Sequence, residues 1–190
     1  MSDETTQRKA IIFDRDGTLI VDKVYLNDPD AIEYLPGVFE ALRTLRDAGF
    51  IFFVATNQSG VPRGLVDIKN LNEIHRRIRA AFSEHGVDIL EFYYAPFLTE
   101  DPHILRKPNP GMLLQAAAEY KIDLGASWMI GDRMTDVEAG HRAGTRTIYL
   151  ENETYKEKEV YLPAEGTFKT VAQAVPFIIE QDRLRARVFA

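Results

Sequence analysis

Asp14 and Asp16 stand two residues apart at the end of a short apolar run, in the stretch F-D-R-D-G-T at 13–18. Cleaving a phosphate monoester takes a nucleophile aligned with the leaving oxygen, a proton donor for that oxygen, and positive charge around the phosphoryl group. This pair can supply the first two. Asp14 would attack phosphorus to give an acyl phosphate; Asp16 would protonate the leaving oxygen and later activate water. Taken alone, Asp-x-Asp-Gly after a strand is an ordinary turn rich in Asp. Three more clusters follow in chain order: T-N-Q-S-G at 56–60, R-K-P at 106–108 and G-D-R-M-T-D at 131–136. Their joint presence moves the weight from a turn to chemistry.

These clusters need elements to bring them together, and the apolar pattern provides them. Ala10 to Phe13 reads as a buried strand that ends at the carboxylates. Gly37 to Ala48 places Val38, Phe39, Leu42 and Leu45 on one helical face and closes at Gly49. Phe50 to Ala55 is apolar throughout, as a parallel strand covered on both faces must be, and stops at Thr56. Asp67 is an N-cap candidate for a helix that turns Ile68, Leu71, Ile74, Ile78 and Phe82 inward, with Gly86 as its stop. Leu90 to Ala95 is the next strand, and a helix from about Pro110 to Tyr120 precedes a strand at Ser127 to Ile130. Met134 to Ala143 reads as a helix ended by Gly144, and Arg146 to Leu150 as a strand. Phe168 begins a weaker edge strand, and Pro176 lies in the first turns of a C-terminal helix or marks a kink in it. Strands alternating with helices imply βαβ units, hence an α/β fold with a Rossmann-like parallel sheet and helices on both faces. Ligands in such sheets bind beyond the C-terminal strand ends, where every polar cluster falls.

The four clusters together resemble the haloacid dehalogenase (HAD) superfamily of phosphohydrolases over residues 9–150. The resemblance is greatest to its heptose 1,7-bisphosphate phosphatase and histidinol-phosphatase branch. It rests on D-R-D-G-T-L-I at 14–20, V-A-T-N-Q-S-G-V-P-R-G at 54–64, F-Y-Y-A-P at 92–96, R-K-P-N-P-G-M-L at 106–113 and M-I-G-D-R at 129–133. It implies a magnesium-dependent phosphatase without a large cap domain. Asp14, Asp16, Thr56 and Lys107 are then the catalytic set. Thr56 and the backbone N–H groups after it would donate to phosphate oxygens, and Lys107 would offset the charge of the carboxylate and phosphoryl group. Asp14, Asp132 and the backbone carbonyl of Asp16 would hold Mg²⁺, which prefers oxygen ligands. Asp136 is left between two readings, a partner behind those ligands or a favourable acid in a helix's first turn.

Members of this branch commonly hold zinc in the loop before Arg-Lys-Pro, through a Cys-x-His pair and a Cys-x-Cys pair. The corresponding positions here are Ala95 and Phe97, then His103 and Leu105, and the chain has no cysteine. One candidate ligand out of four cannot close a structural site, so no zinc is expected. Phe97, Leu98, Ile104 and Leu105 are expected to pack the loop, with His103 an ordinary loop residue. For a sugar bisphosphate, Asn57, Arg63, Arg106 and Arg133 are the candidate substrate-binding residues. The stretch 21–36, with Tyr25, Asn27, Asp28 and Asp30, is positioned to form a small flap; its acids would equally suit a cationic amine such as histidinol phosphate.

The remaining composition sets bounds. With 190 residues, 45% of them hydrophobic, the chain fits one domain, residues 1–190, in which 151–190 supply the edge strand and last helix. A formal charge of −6 argues against nucleic acid or an anionic membrane as partner, since both need a basic face. No segment approaches the ~20 apolar residues of a membrane span, and the N-terminal ten residues lack a signal-like apolar stretch. The expectation is a cytoplasmic monomer acting on a small phosphorylated metabolite. The C-terminal stretch 183–190 alternates Arg with apolar residues and reads as a helix end.

Overall fold

The computed structural model describes residues 7–151 and 161–188. The N-terminal six residues and the last two, which carry part of the signal-peptide and tail readings above, lie outside the described residues. Six strands, β1 (Ala10–Phe13), β2 (Ile51–Asn57), β3 (Ile89–Ala95), β4 (Trp128–Gly131), β5 (Arg146–Leu150) and β6 (Gly166–Phe168), form one sheet. Its order is β3-β2-β1-β4-β5-β6, and every pairing is parallel. Helices α1 (Val38–Asp47), α2 (Ile68–Glu84), α3 (Gly111–Tyr120) and α4 (Met134–Ala143) run between the strands, and α5 (Val171–Val188) follows β6.

The uninterrupted apolar runs of the strands follow from burial on both faces. Ile11 and Phe13 point into a core shared with α1, α2 and α5, whereas Ala10 and Ile12 point into a second core shared with α3 and α4. Because side chains alternate across a strand, each run must satisfy both layers. The chain walks from β1 outward to β3, then returns to the other side of β1 with β4. That reversal opens a crevice at the C-terminal ends of β1 and β4, the place where open α/β sheets bind ligands. Asp14 follows β1 and Asp132 follows β4, so both carboxylates emerge there.

Several details differ from the sequence reading. Strand β2 continues through Thr56 and Asn57, because both pair in register with β3. Ile68 is 40% exposed: at the first position of α2 it sits on the open side of the N-terminal turn, and the inward face begins at Leu71. Phe168 ends the edge strand, which starts at Gly166. Pro176 is the sixth residue of α5 and lies inside the helix. Asp67 caps α2 as expected, accepting from the Lys69 N–H at 2.7 Å. Among the described residues no helix is long and apolar enough to cross a membrane.

Candidate active site

Lys107 is the hub of the site. Its ammonium donates to Asp14 Oδ1 at 2.7 Å and to the Ala55 carbonyl at 2.7 Å, and it pairs with Asp136 Oδ1 at 2.6 Å. A lysine carries three donors, so this head group is fully used. Burial alone would lower its pKa, but Asp136 and Asp14 outweigh that and hold it above the usual lysine value. The lysine's backbone is gripped as well. Asn57 Nδ2 donates to the Lys107 carbonyl and Asn57 Oδ1 accepts from its N–H, both at 3.0 Å. Asn57, expected from sequence to bind substrate, therefore has its amide committed to positioning the lysine, although it also lines the cavity.

Asp136 takes both of the roles left open for it. Its Oδ2 accepts from the Arg133 N–H at 3.0 Å, closing the first turn of α4, while Oδ1 holds Lys107. One carboxylate thus ties the helix start to the Lys107 ammonium.

Asp14, Asp132 and Asp136 are all buried, with carboxylate oxygens within 4.8 Å of one another. Burial, then the neighbouring acids Asp14 and Asp136, push Asp132 up to about 9. Burial likewise raises Asp14, with Lys107 opposing. Such crowding of hard oxygen donors suits a small divalent cation, whose charge reverses the repulsion. Two glycines make room for the carboxylates themselves. Gly17 has φ +78°, and a Cβ there would lie 2.2 Å from Asp132 Oδ2; a Cβ on Gly131 would lie 2.1 Å from Asp136 Oδ2. The residues present fit Mg²⁺.

Asp16 holds a different set of partners. Both of its oxygens accept from the guanidinium of Arg15, Nε to Oδ2 and Nη2 to Oδ1, each at 3.0 Å. Gln58 Nε2 donates to Asp16 Oδ2 at 3.2 Å and to the Thr56 hydroxyl at 2.8 Å, so it links the first and second clusters. Burial raises the Asp16 pKa, Arg15 opposes and Asp14 adds to the rise. A carboxyl biased toward its protonated form suits proton donation to a leaving oxygen.

Above these residues lies a cavity of about 420 Å³. Asp14, Asp16, Thr56, Lys107 and Asp136 line its buried end, and Arg63, Arg106 and Arg133 line its mouth. Asp22 and Val24 separate it from an adjoining cavity of about 300 Å³, which Asp132 lines. Arg106 donates to the Phe97 carbonyl and the Thr99 hydroxyl at 3.3 and 3.1 Å. Its pKa is lowered by burial first, with Arg133 and Arg63 adding to the effect and Glu100 and Asp101 opposing it. In the loop before Arg106, His103 stacks on Phe97 at 3.7 Å and accepts from the Leu105 N–H through Nδ1 at 3.2 Å. Phe97 and Leu105 pack on the core as expected, but Ile104 is 58% exposed, since the loop turns there and its carbonyl accepts from the Gly111 N–H.

A HAD-hydrolase-like family model matches residues 104–175. The D-glycero-beta-D-manno-heptose-1,7-bisphosphate 7-phosphatase of Pasteurella multocida is 37% identical over 149 residues, which span 75% of this chain and 81% of that protein. The chain belongs to the heptose bisphosphate phosphatase family of HAD-like hydrolases. A second member, the D-glycero-alpha-D-manno-heptose-1,7-bisphosphate 7-phosphatase of Campylobacter jejuni, is 33% identical over 92% of this chain and 98% of its own length. Among solved structures, the D,D-heptose 1,7-bisphosphate phosphatase of B. bronchiseptica, complexed with magnesium and phosphate, superposes with a TM-score of 0.81 at 30% identity. It covers 91% of this chain and 99% of its own.

In this HAD-like hydrolase, sequence reasoning passed over the side chains of Arg15 and Gln58, which contact Asp16, and that of His75, which contacts Arg15. Arg15 and Gln58 lie inside the quoted motifs, Arg15 between the two aspartates and Gln58 two residues after Thr56, and that placement was the available signal. His75 falls on the inward face of α2, one residue after Ile74, and its position at that spacing was the available clue.

Proposed function

We propose that this protein hydrolyses the phosphate monoester of a sugar bisphosphate, a D-glycero-D-manno-heptose 1,7-bisphosphate, through a phosphoryl-Asp14 intermediate. The observation that carries the reading is the Lys107 hub, which holds Asp14 in a buried pocket beneath three arginines. A carboxylate oxygen of Asp14 attacks phosphorus; the bond from phosphorus to the sugar oxygen breaks, and Asp16 gives that oxygen its proton. The sugar leaves as an alcohol. Asp16, now ionised, takes a proton from water, whose oxygen attacks phosphorus; the bond to Asp14 breaks and inorganic phosphate is released. Lys107 stays charged throughout and offsets the negative charge on the phosphoryl oxygens. Asp14, Asp132 and the Asp16 carbonyl would hold Mg²⁺, which when bound neutralises the crowded acids and polarises the phosphoryl group.

Arg63, Arg106 and Arg133 at the mouth supply what a second phosphate requires, planar donors outside the reacting centre. The stack of His103 on Phe97 shapes the wall beside Arg106 without a metal, which is our reading of the missing zinc ligands. We propose further that the protein acts as a single domain and a cytoplasmic monomer. The test is kcat/KM for heptose 1,7-bisphosphate, histidinol phosphate and sugar monophosphates, each with and without Mg²⁺. The bisphosphate is expected to lead and to need Mg²⁺. Preference for histidinol phosphate would overturn the substrate, and turnover indifferent to Mg²⁺ would overturn the mechanism.

A further inference from the structure

The acid/base of the proposed reaction, Asp16, is held by an arginine that is itself held from behind. Arg15 is only 1% exposed, although a guanidinium is among the side chains least suited to burial without partners. Two of its nitrogens grip Asp16, as described above. The third, Nη1, lies 3.1 Å from Nε2 of His75, sixty residues away on α2. A guanidinium has donors and no acceptor, so Nε2 must accept, and the proton of the neutral ring sits on Nδ1. The ring is fixed in turn: it is 7% exposed and stacks on Phe92 of β3 at 4.8 Å and 24°, with Tyr94 at 5.9 Å.

We infer that His75 is a positioning residue for Asp16, acting as a neutral hydrogen-bond acceptor that fixes the plane of the Arg15 guanidinium and thereby aims the acid/base carboxyl at the leaving oxygen. The neutral state is enforced by the surroundings. Burial, then the charges of Arg15 and Arg79, push the imidazole down to about 3, so no cation competes with Arg15 at neutral pH. Removing the acceptor leaves Nη1 buried without its partner. The guanidinium then has reason to rotate toward another acceptor, and the fork on Asp16 opens. An inert core position would need none of this geometry: the other buried residues of α2 are Leu71, Ile74, Ile78 and Phe82, all apolar.

The inference rests on the phosphatase reading, and its consequence depends on the leaving group. A sugar oxygen must be protonated as it departs, whereas p-nitrophenolate departs without a proton. His75→Leu is expected to lower kcat for heptose 1,7-bisphosphate by about tenfold or more while changing KM by less than about twofold, and to slow p-nitrophenyl phosphate far less. His75→Gln, whose side-chain carbonyl can accept from Nη1, is expected to recover most of the lost rate. Equal losses on both substrates, or no recovery with Gln in a folded enzyme, would assign His75 to packing alone and overturn the inference.

A crystal structure of His75→Leu separates this failure from failure of the phosphatase reading. If Arg15 keeps both bonds to Asp16 in that variant, His75 does not position it, whatever the activity. If the fork opens while the wild type cleaves no phosphate monoester, the positioning stands and the assigned reaction falls.

Discussion

Lys107 and Arg106 are neighbours in the chain, yet their charges are deployed in opposite ways. The Lys107 ammonium is buried, with all three donors spent on Asp14, Asp136 and a backbone carbonyl. The Arg106 guanidinium stands half-buried at the mouth, bonded to neutral acceptors and crowded by Arg133 and Arg63. The first arrangement is saturated and can only hold what it already holds, Asp14, the nucleophile of the proposed reaction. The second gathers positive charge that a ligand's anionic group can neutralise. In the proposed function, chemistry and selection are set one residue apart, by how completely each cation's donors are satisfied inside the protein.

This contrast can be broken by asking whether the two levels fail differently. Asp14→Asn keeps the shape of the buried centre but removes the nucleophile; turnover of every phosphate monoester is expected to fall by on the order of 10⁵-fold or more, as read by phosphate release. Near-normal release from that variant under saturating Mg²⁺ would end the covalent account. Arg106→Ala is the matching change at the mouth. It is expected to reduce kcat/KM for the bisphosphate by about 10- to 100-fold, mainly through KM, and to leave p-nitrophenyl phosphate within about threefold. A loss of the same size on both substrates would place Arg106 in the centre and dissolve the distinction.

The smallest expected effect concerns stability. The acids Asp14, Asp132 and Asp136 repel one another, so Mg²⁺ at about a hundred times its Kd is expected to raise Tm by about 5 to 10 °C. Asp132→Asn, with one acid neutralised, should show less of this rise, whereas Arg106→Ala should show all of it. A Tm insensitive to Mg²⁺ in the wild type would mean the acidic cluster does not take the cation.

The central strands were legible because their cause is local: β1, β2 and β4 are buried on both faces and read as apolar runs, and each of these runs stops at a polar cluster. Helix α4 and strand β5 lie at the boundaries read from sequence, since Gly144 ends the helix in the left-handed conformation at φ +89°. Asp14 and Asp132 meet because they follow β1 and β4, and Thr56 lies near the end of β2, whereas Lys107 comes from the loop between β3 and α3, where Asn57 holds its backbone. Partnership was less legible. Asp136 looked like either a cap or a support and is both, because a carboxylate has two oxygens and α4 begins beside Lys107. Asn57 and Gln58 sit in one motif, but the direction of each side chain depends on β2 continuing through Asn57. The Arg15 and His75 contact joins residues sixty apart, so the local pattern of α2 could mark the histidine as inward-facing but could not name its partner. Ile68 and Ile104 were expected inside and lie largely outside, since a helix's first position and a loop's turn need not follow the face that periodicity assigns.

The central claim is that the phosphoryl group passes through Asp14. Mixing enzyme, Mg²⁺ and heptose 1,7-bisphosphate, quenching in acid within one turnover and mapping peptides by mass spectrometry tests it directly. The account predicts a phosphoryl group on the peptide carrying Asp14, absent in Asp14→Asn and convertible by borohydride to homoserine at position 14. A phosphoryl group on another residue of the active wild-type enzyme would contradict it.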